Sequence, residues 1–165
     1  DYNVDSEITK LFFATVQNKL HWAIVRETAA EIVYHRADHT KQNMGLTSWK
    51  NAPTGRIRKS DVSIAKNYLD QEELEGLNRI VTMYLDYAED QAKRRNVMYM
   101  DDWVKKLNAF LQFNEREILQ DNGRVTHEIA KTFAESEFEK YRVMQDKVYQ
   151  SDFDRMLAEI NDKTK

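Results

Sequence analysis

The segment DQEELEGLNRIVTMYLDYAEDQAKRR, residues 70–95, determines the fold class of the chain. Asp70 and Glu73 can form a capping box, in which each side chain accepts a backbone N–H at the start of a helix. The apolar residues that follow recur at the three- and four-residue spacing of one helix face: Leu74, Leu77, Val81, Tyr84 and Ala88. Acids in the first turns and a basic run at 93–95 complement the helix dipole. The segment therefore predicts a long amphipathic helix.

The same periodicity extends over most of the chain and predicts a mainly α fold of five or six helices. Ser6 or Asp5 can cap the first helix, and Thr28 with Glu31 makes a capping box for the second. Besides the helix at 70–95, helices are expected at 6–24, 29–38, 60–69, 101–122 and 126–162. The last would be about 55 Å long at 1.5 Å per residue. Its end is therefore expected to project from the body, or the helix to bend near Ser151.

Apolar residues cover more than half of the circumference of the first helix, which predicts burial on two sides. His21 falls on the narrow polar arc that remains, so it is expected to be exposed. The core-facing positions expected for this helix are Ile8, Leu11, Phe12, Val16, Leu20 and Ala23.

Length and composition limit the classes of protein that the chain can belong to. A chain of 165 residues predicts one domain, with a body over 1–145 and a projecting end over 146–165. Cysteine is absent, which excludes disulfides and thiolate chemistry and fits a cytoplasmic protein. No apolar run approaches the ~20 residues of a membrane span, and no signal peptide is visible. Since the chain starts at Asp1, we expect it to be a piece of a larger protein.

Residues 39–60 form an insert that interrupts the helical pattern. It holds the only proline and two of the four glycines of the chain. Residues 39–66 sum to a charge of +5, so the remainder sums to −8 against a net charge of −3. Pairing of 46–50 with 56–58 as a small hairpin is one arrangement of this segment. A basic island on an acidic body can attract phosphate or an acidic partner.

The insert places an aromatic residue beside a basic run, a composition that nucleic-acid surfaces use. The candidate phosphate or nucleic-acid contacts are Trp49, Lys50, Arg56, Arg58, Lys59 and Lys66. Two interpretations stay open, because a loop tryptophan often plugs into a nearby core and basic residues are often only solvated surface.

Other constellations of reactive residues do not indicate a reaction. His35 and His39 have the four-residue spacing at which two imidazoles could share a metal, but Arg36 stands where a zincin has its glutamate. A third ligand is not evident, so no metal and no other cofactor is expected. The glycines lack the spacing of a phosphate-binding loop, and the carboxylates follow helix surfaces.

Seven blocks of the sequence resemble the RhuM virulence-associated family of bacteria, and together they span roughly residues 6 to 145. The blocks are FFATVQNKLHWA (12–23), TAAEIVYHRAD (28–38), NMGLTSW (43–49), KSDVSIAKNYL (59–69), LNRIVTMYLDYAEDQA (77–92), DDWVKKLNAFLQFNEREIL (101–119) and ESEFEKYR (135–142). The resemblance implies that the chain is the C-terminal half of a protein whose N-terminal region resembles DNA-binding modules of phage antirepressors. It supplies no catalytic residue to transfer.

The leading hypothesis is a non-catalytic domain that mediates self-association or partner contact for a DNA-associated factor. The terminal helix would carry that contact, and the insert would add a contact to phosphate or nucleic acid. Polar residues of the family blocks, Arg36, Asp38, Asp61 and Asn67 together with Lys59, are expected to form a hydrogen-bonded cluster where the insert docks. The alternative is an enzyme acting on a nucleotide or nucleic acid, centred on Arg36, Lys59, Asp61 and Lys66.

Overall fold

The computed structural model describes residues 6–148 and 152–163, and these residues are mainly α-helical. Three short 3-10 turns, at Gln42–Gly45, Lys59–Asp61 and Ala65–Tyr68, lie between the second and third helices, and no strand occurs in the described ranges. The mainly α prediction is therefore confirmed. The helices are α1 (Glu7–Val25), α2 (Ala29–Arg36), α3 (Gln71–Lys93), α4 (Met100–Phe113), α5 (His127–Val148) and α6 (Asp152–Lys163).

The helix caps that the sequence predicts at Ser6, Thr28 and Asp70 are confirmed. The Ser6 hydroxyl accepts the N–H of Thr9 at 3.1 Å and opens α1. Capping boxes with both reciprocal hydrogen bonds open α2, at Thr28 with Glu31, and α3, at Asp70 with Glu73. Each box satisfies backbone donors that the first turn of a helix leaves without a partner.

The helices pack as two groups around one apolar core. α1 lies against α3 and α4, while α2 lies against α5 and the 3-10 turn Ala65–Tyr68. The two groups share a continuous cluster of buried side chains. The largest of its fully buried apolar side chains are Ile32, Met44, Val62, Tyr68, Leu69, Leu107 and Leu111.

Burial along α1 differs from the expectation at both ends of the helix. The side chains of Ile8 and Leu11 are 70% and 66% exposed, whereas His21 is buried and only 3% exposed. The C-terminal half of α1 is enclosed between its neighbours and the N-terminal half is open on one side, so the expected burial on two sides holds for half of the helix. Sequence periodicity identifies the apolar face of a helix, but it does not show how far along the helix the neighbouring helices cover that face.

The predicted end of the helix at 101–122 is wrong, because α4 stops at Phe113. Glu115 has φ 57°, the N–H of Arg116 bonds to the Leu111 carbonyl, and the N–H of Glu115 bonds to the Gln112 carbonyl. These bonds form a Schellman motif that satisfies the last carbonyls of α4. The left-handed position holds a glutamate rather than a glycine, so no sequence signal marked it.

The hairpin and the helix predicted around the insert are also wrong. Asp61 accepts the N–H of Lys50 at 3.1 Å and the N–H of Arg58 at 2.8 Å, so one carboxylate joins both arms without a ladder of strand hydrogen bonds. Two 3-10 turns replace the helix expected at 60–69. The carbonyl of Asn67 accepts the N–H groups of Thr47 and Ser48, which joins the 3-10 turn Ala65–Tyr68 to the insert.

The C-terminal region consists of α5 and α6, and the predicted bend near Ser151 lies outside the described residues. α5 continues through the expected boundary at 145 to Val148, so the division into a body and a projecting end stays a prediction. None of the helices that the structure describes is both long and apolar enough to cross a lipid bilayer.

Candidate phosphate-contact site

The insert is fixed to the core at its tryptophan and to α5 at an isoleucine. The Trp49 ring is 8% exposed, and its indole N–H donates to the Gly55 carbonyl at 2.8 Å. Ile57 is also buried, and the side-chain amide of Gln145 bonds both polar groups of its backbone, at 2.8 and 3.0 Å. Trp49 therefore packs as a core plug, and its buried ring offers no face on which a base could stack.

A polar concavity opens where the insert meets α5, and we call it the insert concavity. Its volume is about 500 Å³. Four of the lining side chains are cationic, three from the insert and one, Arg142, from α5. The lining residues are Asn51, Gly55, Arg56, Ile57, Arg58, Lys59, Phe138, Arg142 and Gln145.

The cations of the insert concavity are only partly neutralised. Arg56 pairs with Asp146, Lys59 lies 3.9 Å from Glu135, and Arg142 lies 3.3 Å from Glu139. Arg58 forms no ion pair with any described residue. Four positive charges therefore face three acids. The basic partners are 43–57% exposed, and ion pairs so open to water contribute little, so a phosphate group could replace the carboxylates.

The other predicted basic contacts lie elsewhere. Lys66 lines a separate, largely apolar cavity together with His21, Leu77 and Val81. Lys50 is exposed and contributes its backbone N–H to Asp61, but its side chain does not line the insert concavity. Three of the six predicted contacts, Arg56, Arg58 and Lys59, are thus brought together.

The residues expected to form one polar cluster fall into four separate places. Lys59 lies at the insert concavity, 3.9 Å from Glu135, and the others form three groups. Arg36 donates to both oxygens of Glu73, at 2.6 and 2.8 Å, and to the Tyr68 carbonyl. Asp38 accepts the N–H and hydroxyl of Thr40. Asn67 donates to the Asp61 carbonyl at 2.9 Å. The sequence shows that these residues are polar, but it does not show which group each of them hydrogen-bonds in the fold.

The Arg36–Glu73 pair joins the end of α2 to the start of α3. The hydrogen bond from Arg36 lowers the pKa of Glu73, and the same bond raises the pKa of Arg36. The pair is two-pronged, which adds geometric specificity to the charge interaction. The guanidinium of Arg36 is therefore occupied by structural hydrogen bonds to Glu73 and to the Tyr68 carbonyl.

The two histidines with metal-like spacing bind different glutamates. His35 Nδ1 lies 2.5 Å from Glu27, and His39 Nδ1 lies 2.5 Å from Glu137. Asp38, His39 and Glu137 place ligand atoms within 4.8 Å of one another. Glu137 also accepts the backbone N–H of His39 and the Lys140 ammonium, at 2.9 and 3.1 Å. His39 and Lys140 thus bind the two oxygens of this carboxylate, so the group serves as a link between the segment after α2 and helix α5 rather than as a metal site.

Arg142 and Gln145 were missed among the site residues predicted from the sequence. Both lie on α5, 83 or more positions beyond Lys59 along the chain. Gln145 is a buried polar residue, only 8% exposed, beside the apolar positions 141, 144 and 148. A polar residue within this apolar face of α5 was the available signal. The hydrogen-bond partner of Gln145, the backbone of Ile57, is evident only from the fold.

Comparisons with known proteins give one family. A family model described as Virulence protein RhuM family matches residues 1–150 of the chain. The matched range includes α1 to α5, the insert and the residues that line the insert concavity. Comparisons with curated proteins and with solved structures found no match.

Proposed function

Because the chain belongs to the virulence protein RhuM family, we propose that it is a non-catalytic interaction domain of a DNA-associated protein in the bacterial cytoplasm. The domain self-associates through its C-terminal helices. The insert concavity adds a contact to the phosphates of a nucleic acid.

The observation that carries the interaction role is a series of exposed apolar side chains at the C-terminal end. On α6 they recur at the three- and four-residue spacing of one helix face, and they are 42–64% exposed. The last turns of α5 expose three more. Clustered exposed apolar side chains of this kind mark interaction surfaces. The residues are Val143, Met144 and Val148 on α5, and Phe153, Met156, Leu157 and Ile160 on α6.

Concentration-dependent hydrogen exchange tests the self-association and locates it. Amides of 143–163 should exchange more slowly as the protein concentration rises, since association buries them and suppresses local opening. Amides of α2, which already packs on α5, serve as the internal control and should not change. Exchange in α6 that is independent of concentration would remove the interaction role.

The insert concavity favours phosphate contact as a second function. Arg56, Arg58, Lys59 and Arg142 surround one cavity, and their acidic partners leave an excess of one positive charge. Arginine can meet a phosphate through two parallel N–H donors, and lysine meets it as a point charge. The contact is sequence-independent, because the buried Trp49 and the cations address no base edge.

Binding to a DNA fragment measured against salt concentration tests this contact. A site that neutralises three or four phosphates gives a slope of log K against log salt of about −3, by counterion release. The double variant Lys59→Ala/Arg142→Ala should make the slope shallower by about 2. The matched control Lys10→Ala/Lys105→Ala removes two exposed cations from α1 and α4 and should leave it unchanged. Equal effects of the two variants would refute a localised contact.

No specific observation favours the enzyme alternative centred on Arg36, Lys59, Asp61 and Lys66. Arg36 is bound to Glu73, and Asp61 is buried against backbone N–H groups. Lys59 and Lys66 line different cavities. These four groups do not converge on one space in which a substrate could sit.

A further inference from the structure

An apolar groove opens between α1, α3 and α4, away from the phosphate contact, and the core residues Leu20 and Tyr84 form part of its wall. Its volume is about 490 Å³, and its lining is almost entirely hydrocarbon and aromatic surface. Leu85 on its edge is 60% exposed. Representative lining residues are Phe12, Val16, Val81, Leu85, Ala88 and Met98.

We propose that this groove receives α6 of a second copy of the chain. The proposal rests on the self-association proposed above and adds the surface on which the terminal helix docks. The chain itself supplies both parts, an amphipathic helix with an exposed apolar face and an open groove formed by three helices.

The chemistry of α6 fits a helix that lies in a groove. Its apolar side chains, Phe153, Met156, Leu157 and Ile160, occupy positions i, i+3, i+4 and i+7, the anchor spacing of helix-in-groove recognition. Phe153 is 64% exposed and Leu157 is 42% exposed. Burying such side chains against the hydrocarbon of the groove removes apolar surface from water on both partners.

Charge favours one direction of the helix in the groove. Residues 93–98, which end beside the lining residue Met98, carry Lys93, Arg94 and Arg95. Lys93 pairs with Glu89 at 2.7 Å and Arg94 with Asp90 at 3.6 Å, both one turn earlier on α3. Arg95 forms no ion pair within the part of the chain that the structure describes. α6 has four acids and two bases, a net charge of −2, and two of the acids precede its first base. We therefore place the acidic N-terminal end of α6 beside the 93–98 turn of the partner.

Reciprocal exchange closes the assembly. Each copy offers one helix and one groove, so two copies related by a two-fold axis satisfy both pairs and leave no helix or groove free. The structure therefore assigns a dimer with two identical helix-in-groove contacts, rather than a contact in which two α6 helices pair with each other.

Two single variants and their mixture test the assignment by light scattering. Leu157→Asp charges the face of α6, and Ala88→Glu fills the groove with a charged side chain. Each variant alone should be monomeric at concentrations where the unmodified chain is a dimer. An equimolar mixture should associate more than either variant alone, though at higher concentrations than the unmodified chain needs, because one of the two contacts joins an intact groove to an intact helix. Ile129→Asp, on an exposed position of α5 at 54%, is the matched control and should stay dimeric.

The contrary outcomes separate the two proposals. If Ala88→Glu stays dimeric while Leu157→Asp becomes monomeric, the groove assignment fails and self-association through α6 stands. A mixture that associates no more than either variant alone, up to the highest concentration measured, also overturns the groove. An unmodified chain that is monomeric at every concentration ends both proposals. Should circular dichroism show that Ala88→Glu is unfolded, Leu85→Asp replaces it, since that side chain is exposed and its substitution leaves the core intact.

Discussion

The side-chain amide of Gln145 bonds both backbone polar groups of Ile57, accepting its N–H at 2.8 Å and donating to its carbonyl at 3.0 Å. The two residues are 88 positions apart, and both are buried. This clamp fixes the insert to α5 and so holds Arg56 and Arg58 at the insert concavity.

Gln145→Leu should destabilise the chain by about 2 kcal/mol, because it leaves the buried N–H and carbonyl of Ile57 without partners. Urea denaturation measures the loss. Gln112→Leu, at an exposed position of α4, is the matched control and should change stability by less than about 0.5 kcal/mol. Equal stability of the two variants would show that the clamp does not hold the insert.

Trp49→Ala should cost about 3 kcal/mol or more, since it removes a large ring from the core under the insert. Trp49→Phe keeps much of the apolar contact and loses the hydrogen bond to Gly55, so it should cost less. Thermal unfolding gives both values. An unchanged melting temperature for Trp49→Ala would refute the role of this ring as the plug of the insert.

Burial lowers the pKa of His21 to about 4. The unfolded chain takes up this proton near pH 6.5 and the folded chain only near pH 4, so the unfolded state binds more protons between these values. The stability that His21 contributes is therefore complete above about pH 6.5 and falls by about 3 kcal/mol as the pH drops to 4.

His21→Gln should flatten the dependence of stability on pH in this window, because glutamine does not titrate. Urea denaturation of both proteins at several pH values between about 4 and 7 makes the comparison. An equal slope in the variant and the unmodified chain would contradict the burial of His21.

The hydrogen bond from Arg36 is the largest cause of the lowered pKa of Glu73. A carboxylate with a depressed folded pKa stabilises the protein above its unfolded pKa, and this contribution is lost as the pH falls through the folded value. Glu73→Gln should therefore reduce the loss of stability on the acid side of about pH 4.5, below the window of His21. Acid unfolding curves measure it, and unaltered curves would show that Arg36 and Glu73 do not interact.

The sequence predicts the parts of this fold that depend on local chemistry. The caps at Ser6, Thr28 and Asp70 occur where their side chains can reach nearby N–H groups, so short sequence motifs suffice. The end of α4 could not be predicted, because Glu115 adopts a left-handed conformation that sequence signals assign to glycine or asparagine.

The candidate site could be predicted only in part. The basic run of the insert identified Arg56, Arg58 and Lys59, because charge is visible in composition. The positions of Gln145 and Arg142 depend on how α5 crosses the insert, and long-range packing of this kind leaves no spacing in the sequence. The burial of His21 could not be predicted for the same reason. A polar residue on a helix is expected to be exposed unless a neighbouring element covers it, and the sequence does not show that neighbour.

The molar mass of the full chain across a concentration series tests the interaction role most directly. The chain has a mass of 19.6 kDa, and light scattering should show this mass at low concentration and twice this mass at high concentration. The variant Phe153→Asp/Leu157→Asp, with two exposed side chains changed, should keep the monomer mass throughout. A constant 19.6 kDa for the unmodified chain, or a double variant that associates equally well, would contradict the account.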